Sequence, residues 1–284
     1  MAQTAQDVIS AQRQDWNRVA SGWDKWDPLF QRNMTALNHR LVADARLRPG
    51  MRVLDLGSGT GYPALLAGQI VGPDGQVVGL DLAESMLAVA SRKAAEQGLR
   101  HVSFRTADVT NLPFDTGSFD AVISRFCLMF LPDIPKAVSE IARILAPGGY
   151  VAAAVWSTPD RNPSIRIPMD VVKTLIPLPA PDPTAPGIFR LAKPGDLRGM
   201  LEQAGLTASI EEEFMADTFY ASAEEYFHSL MDIAAPLQNL FAMLSPEQRA
   251  EAEWGILNAV QPYRRGAQIV LPIAVRIVSA RKSV

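Results

Sequence analysis

The stretch Val53-Leu54-Asp55-Leu56-Gly57-Ser58-Gly59-Thr60-Gly61 decides the fold. Its first half is apolar except for one carboxylate, the pattern of a short strand buried on both faces. Its second half has glycine at every other position, so the backbone can turn tightly and approach a ligand closely. A dinucleotide site carries G-x-G-x-x-G, with the third glycine packing a helix against the strand. Here the third glycine, Gly61, comes one residue early, so no pyrophosphate need be held. Asp55, just before the loop, would repel a phosphate and can face an ammonium group. It also reads as a plain turn cap.

Working outward, strands and helices alternate. Residues 52–56 read as a strand, 64–71 as a helix and 75–80 as a strand ending in Asp81. A helix follows over 85–98, a third strand over 101–105 with Asp108 beyond it, and a fourth over 119–124. Residues 134–145 read as a helix stopped by Pro147-Gly148-Gly149, and 150–156 as a fifth strand. Nearly unbroken apolar strands alternating with helices indicate an α/β fold, a parallel sheet covered on both faces. Ligands of such sheets bind beyond the carboxyl ends of the strands. The first four strands end near Asp55, Asp81, Asp108 and Ser124, which predicts one site there.

The flanks differ. Residues 1–48 read as two helices, the first with an apolar stripe of Trp16, Val19, Ala20, Trp23 and Trp26. That stripe reads equally as a lid or as an ordinary packed face. The sheet core takes 49–157. Residues 158–265 begin proline-rich and irregular, become helical over 194–204 and again, rich in aromatics and Met, over 221–257, and read as a cap. Residues 266–284 hold a last strand over 269–280, whose Pro272 suggests an edge or a strand start.

Composition narrows the partners. Lys plus Arg number 27 and Asp plus Glu 30, so the net charge is 27 − 30 = −3, with no basic block for nucleic acid. One cysteine, Cys127, excludes an internal disulfide and a cysteine-based zinc site, and no metal site is expected. No signal peptide and no membrane-length apolar run is seen, so a cytoplasmic location is expected by elimination. Exposed tryptophans near the N-terminus would support a homodimer.

Asp81 can accept hydrogen bonds from both hydroxyls of a ribose, and Asp108 one from an adenine amino group, unless it merely begins a turn. An ammonium, a ribose and an adenine without a phosphate describe S-adenosylmethionine. The segments VLDLGSGTG, GLDLAESML, TADVTNLPF, FDAVISRFCLMFLPD and LAPGGYVAAAVW together resemble the class I S-adenosylmethionine-dependent methyltransferases. The resemblance is to the ubiquinone/menaquinone-biosynthesis-like (methyltransferase type 11) small-molecule group. It covers about Trp23 to Trp156 well and resumes weakly in LPIAVRIVSARK.

The resemblance implies a Rossmann-like seven-stranded sheet, order 3-2-1-4-5-7-6, with the seventh strand antiparallel and the sixth over 206–214. It implies that Gly57, Ser58, Gly59 and Gly61 line the methionine and ribose portions of the cofactor, with Asp55 beside them. Asp81 would hold the ribose, Leu82 and Met86 would flank the adenine, and Asp108 and Val109 would meet its far side. Ser124 and Arg125 would stand beside the methionine part, at the substrate entrance. The expected activity is in-line methyl transfer to a small, largely apolar acceptor such as a quinone precursor or polyketide, yielding S-adenosylhomocysteine. His228, Tyr220 and Arg125 are the candidates for contacting that acceptor, with His228 the one histidine placed to act as a base. His101 reads as structural, His39 as solvent-facing and Cys127 as a small buried hydrophobe. Three rival readings stand beside this: a nicotinamide oxidoreductase, disfavoured by the glycine spacing and Asp55; a cofactor-binding protein without turnover; and a non-methylating use of the cofactor, such as a cyclisation.

Overall fold

A computed structural model describes residues 4–178, 182 and 184–284. One eight-stranded sheet is formed by β1 (Arg52–Leu56), β2 (Gln76–Asp81), β3 (Val102–Thr106), β4 (Phe119–Arg125), β5 (Leu145–Trp156), β6 (Leu206–Tyr220), β7 (Arg264–Arg265) and β8 (Gln268–Lys282). The order is β3-β2-β1-β4-β5-β8-β6, with β7 paired to β8 off this path. Strands β1 to β5 run parallel, and β8 runs antiparallel to both β5 and β6. Setting the two-residue β7 aside, this is the expected Rossmann-like order 3-2-1-4-5-7-6.

The helices are α1 (Ala5–Lys25), α2 (Asp27–Asp44), α3 (Ala64–Val71), α4 (Glu84–Glu96), α5 (Ile134–Ile144), α6 (Pro163–Leu175), α7 (Asp196–Gln203), α8 (Ala223–Ile233), α9 (Ala235–Ala242) and α10 (Pro246–Ala259). Alternate residues of each central strand enter opposite cores, which is why the strands carry no polar face. Leu54, Leu80 and Val122 pack with Ile141 of α5 and Leu201 of α7. Val53, Val77 and Ile123 pack with Leu41 of α2 and Leu65 of α3. Helices α6, α8, α9 and α10 build a third cluster over the far ends of β6 and β8, through Val172, Tyr226, Phe241, Ile256 and Leu271.

Helix α1 starts on a capping box between Thr4 and Asp7. It lies across the carboxyl end of the sheet. Arg13 pairs with Glu84, and the Asn17 amide oxygen accepts from the backbone N–H of Ser85 at 2.8 Å, tying α1 to the first turn of α4. At its other end Lys25 and Trp26 both donate to Asp232 of α8, each at 2.7 Å. Gly22 allows that crossing, because a Cβ there would stand 2.1 Å from the Asp232 carbonyl oxygen. Trp16, Trp23 and Trp26 are therefore half-buried against their own chain, and the exposure on which a homodimer was expected is not found.

Other expectations shift for local reasons. β5 begins at Leu145 rather than residue 150, because Leu145 pairs with Phe119 before a register shift. β6 continues to Tyr220 rather than 214, because β8 offers a partner along its whole length. The helical stretch 221–257 divides into three, with prolines Pro236 and Pro246 in the first turns of α9 and α10. Of the proline-rich stretch, 179–181 and 183 lie outside the described residues, as do 1–3 at the N-terminus.

Pro272 stands not at an edge strand but inside β8, paired with Asp217. Strand β5 flanks β8 only from Val275 to Arg281. Beyond that the Asn162 side chain takes over, accepting from Ala274 N–H and donating to Ala274 O, each at 3.0 Å. Two residues further, Pro272 turns the same way, where no strand asks for its missing N–H. Among the described residues no helix is long and apolar enough to cross a membrane.

Candidate active site

The β1 loop is pinned from behind: the N–H groups of Gly57 and Ser58 both donate to Leu80 O, at 2.8 and 2.9 Å. Gly57 has φ +70°, and a Cβ there would stand 2.5 Å from Cβ of Cys127, so the loop and the turn after β4 touch backbone to side chain. Gly59 has φ +51° with open space where a Cβ would be, and that space is a cavity. Gly61 meets Leu65 and Ala90, which is helix packing, and does not line the cavity.

The cavity encloses about 140 Å³. One side presents Asp81, Leu82, Met86, Ala107, Asp108 and Val109, and the floor is Gly57, Ser58 and Gly59. Asp81 accepts from Gly59 N–H at 2.9 Å and Ala83 N–H at 3.0 Å, which fixes its carboxylate at the wall. Burial raises its pKa above the ordinary carboxylate value against the pull of those amides. Asp108 does begin a turn, its Oδ1 accepting from the N–H and hydroxyl of Thr110, each at 2.8 Å. It lines the cavity as well.

Asp55 and Ser124 stand behind the wall. Asp55 is fully buried; its Oδ2 accepts from Ala64 N–H at 3.0 Å and its Oδ1 has no partner. Burial pushes its carboxyl up to about 7, against the opposing Arg125 charge and the Ala64 N–H. Ser124 donates to Leu56 O at 3.1 Å and joins β4 to β1.

A second chamber of about 220 Å³ adjoins the first. Both are lined by Trp16, Trp23, Arg125, Phe126 and Phe130, which form the passage between them. The chamber is walled by α6 through Ile165 and Met169, by α8 through Leu230 and Ile233, and by Pro236 and Leu237 of α9. Its polar side chains are Arg125, Ser164, Thr218 and Tyr220. Arg125 donates from Nη1 to the Asn38 amide oxygen at 2.8 Å. Burial lowers its pKa to about 10, still cationic at neutral pH. Burial likewise pushes the Tyr220 phenol up to about 12, so it stays protonated.

His228 is corrected: it lies on the exposed face of α8 and lines neither chamber, because Phe227 and Ser229 take the inward positions. Cys127 is half-buried at the cavity wall, and burial raises its thiol above the ordinary value, which disfavours the thiolate. The His101 ring bonds Gly68 O at 2.8 Å and His39 is exposed.

Phe126 and Phe130 of the passage, and Trp156 of the chamber, escaped the sequence reading. Phe126 and Trp156 stack with centroids 4.2 Å apart and planes 4° apart. Phe126 holds φ +58°, a left-handed conformation unusual for an aromatic residue and common where a site needs a fixed side chain. Position after a strand could have drawn attention to it; its conformation could not be read.

The cavity fits an adenosyl group with an amino-acid tail. An anchored carboxylate lines it, Leu82, Met86 and Val109 add apolar wall, and the glycine floor admits a close approach. Two buried side-chain oxygens at and behind that floor have no partner, Oδ1 of Asp55 and Oγ of Ser58.

Residues 54–153 match the family model described as a methyltransferase domain. An arsenite methyltransferase of Halobacterium salinarum is 34% identical over 58% of this chain and 40% of its own length. A demethylmenaquinone methyltransferase of Symbiobacterium thermophilum is 33% identical over 54% and 58%. Nocamycin O-methyltransferase of Saccharothrix syringae is 36% identical over 53% and 52%. The chain thus spans about half the length of these curated relatives. Among solved structures, the [4+2]-cyclase SpnF has a TM-score of 0.56 at 22% identity, covering 94% of this chain and 96% of that one, a likeness of fold alone. Residues 54–153 thus match a methyltransferase domain, and over about half its length the chain is similar to the ubiquinone/menaquinone-biosynthesis methyltransferases.

Proposed function

We propose that the protein transfers a methyl group from S-adenosylmethionine to a small, largely apolar acceptor, of the size and character of a quinone precursor or polyketide. The observation that carries this reading is the shared wall: five residues line both the adenosyl-sized cavity and the apolar chamber. A donor on one side and an acceptor on the other meet at that passage.

The bound cofactor supplies an already activated methyl group, so the protein's task is alignment in line and exclusion of water. Asp81 holds the ribose hydroxyls on a carboxylate fixed by two backbone amides. Leu82, Met86 and Val109 would flank the adenine, and Asp108 would accept from its amino group. Gly57, Ser58 and Gly59 would line the amino-acid tail, while Asp55, turned away from the cavity, holds the start of α3 through Ala64 N–H. Gly61 and Ser124 keep the loop and β4 in register. Helices α1, α8 and α9 close the acceptor side with Trp16, Trp23, Ile233 and Leu237.

Calorimetric titration with S-adenosylhomocysteine tests the cofactor half. Saturable binding is expected, weakened at least tenfold by Asp81→Ala, about 1.4 kcal/mol or more. Equal affinity in the variant would remove Asp81 from the site. Absence of binding to the folded protein would end the reading.

A further inference from the structure

The chamber poses a chemical problem. Among its described lining residues there is no carboxylate and no histidine, and Tyr220 stays protonated to about 12. Nothing there removes a proton from an acceptor at neutral pH. Arg125 is the one charged group among the described lining residues. That guanidinium makes a single hydrogen bond, to the neutral amide of Asn38, and no ion pair within 4.0 Å. Arg125 is half-buried, and a cation so poorly partnered in an apolar chamber is a ready site for an anion. Asp55 and Asp27 face its charge at longer range. A second unmatched donor stands at the passage: Nε1 of Trp23 is buried without a partner.

We propose that Arg125 selects an acceptor bearing an acidic hydroxyl, a phenol or enol, and holds it as its oxyanion at the passage between the two cavities. The proposal rests on the methyl-transfer reading and deepens it. The hydroxyl proton leaves to solvent as the acceptor binds, so no protein base is required. An opposite charge at contact distance in a dry cavity favours the ionised form. The same cation disfavours an ammonium acceptor, and the apolar walls take the rest of the molecule.

The test uses the protein saturated with S-adenosylhomocysteine and two coloured probes, 4-nitrophenol and its methyl ether 4-nitroanisole. The absorption band of the phenolate is followed at a pH below the free phenol's pKa. Wild type is expected to develop the phenolate band on binding, lowering the probe's apparent pKa by about one unit or more. In a second titration well above the free phenol's pKa, it should bind the phenol about tenfold tighter than the ether, the same factor as that pKa unit. Arg125→Gln should bind both equally and show no band at the lower pH; Arg125→Lys, which keeps the charge, should retain part of it. Binding of the phenol in neutral form, no saturable binding of it, or an undiminished band in Arg125→Gln each overturns the proposal. S-adenosylhomocysteine affinity is measured beside each titration. If that binding holds while the band is absent, only the role of Arg125 falls; if that binding is itself absent, the methyl-transfer reading falls.

Discussion

Replacing Gly57 and Gly59 by alanine separates a packing glycine from a ligand-facing one two residues away. At Gly57 the new Cβ would stand 2.5 Å from Cβ and 2.7 Å from Sγ of Cys127, at φ +70°. The left-handed conformation costs about 1–2 kcal/mol, and the forced repacking adds about 1–3 kcal/mol. Gly57→Ala should therefore lose about 2–5 kcal/mol of folding stability. At Gly59 no atom lies within 4 Å of the added group and φ is +51°. Only the backbone cost remains, about 1–2 kcal/mol, but the methyl group occupies the cavity. Gly59→Ala should fold and bind S-adenosylhomocysteine about tenfold or more weakly.

Cys127→Gly removes both clashing atoms, leaving Cα at 3.6 Å. In the double variant the repacking part, about 1–3 kcal/mol, should be regained while the backbone part stays lost. Urea denaturation of wild type and the four variants gives the stabilities and calorimetry the affinities. The reasoning is refuted if the two alanine variants lose equal stability, or if Cys127→Gly fails to couple with Gly57→Ala.

The remaining predictions concern charge. Asp55 rises from 3.8 to about 7 on folding, so its contribution to stability is fully present below 3.8 and is lost as pH climbs through about 7. That span is worth at most about 4 kcal/mol; Asp55→Asn should flatten urea-derived stability across it, and an unchanged slope would count against the burial argument. His228→Ala should leave turnover within about twofold of wild type, a negligible free-energy change, because the ring lies on the outer face of α8. A fall of a hundredfold with an accepted acceptor would return it to the chemistry.

Much of the cofactor side was legible because backbone physics writes it locally. Val53, Leu54 and Leu56 must form a doubly buried strand, and the glycines after them must turn; β1 and α3 fall at the expected residues. Asp81 and Asp108 were visible as strand-end carboxylates. Asp55 was visible too, but its facing was not. Strand parity turns it with Val53 toward α3, away from the cavity, and only the register with β2 and β4 settles that. The acceptor side was less legible. Tyr220 and His228 looked alike in sequence, yet one faces the chamber and the other solvent, because α8 presents Tyr226, Phe227 and Ser229 inward. Phe126 and Trp156 meet only because β4 and β5 end side by side, a contact between separate strands that no local pattern announces.

The overhang of β6 and β8 past the end of β5 has a consequence for how this protein can diverge. Thr218, Tyr220 and Ile273 carry the chamber on that overhang, beyond the strand where Asn162 replaces β5. The matched segment ends at residue 153, just short of it. The molecule is thus jointed like a tool with an exchangeable head. Helices between β6 and β8 can lengthen, shorten or be recast around a new acceptor while the hairpin beneath them keeps its pairing. The handle, with its glycine loop and anchored Asp81, need not register the change.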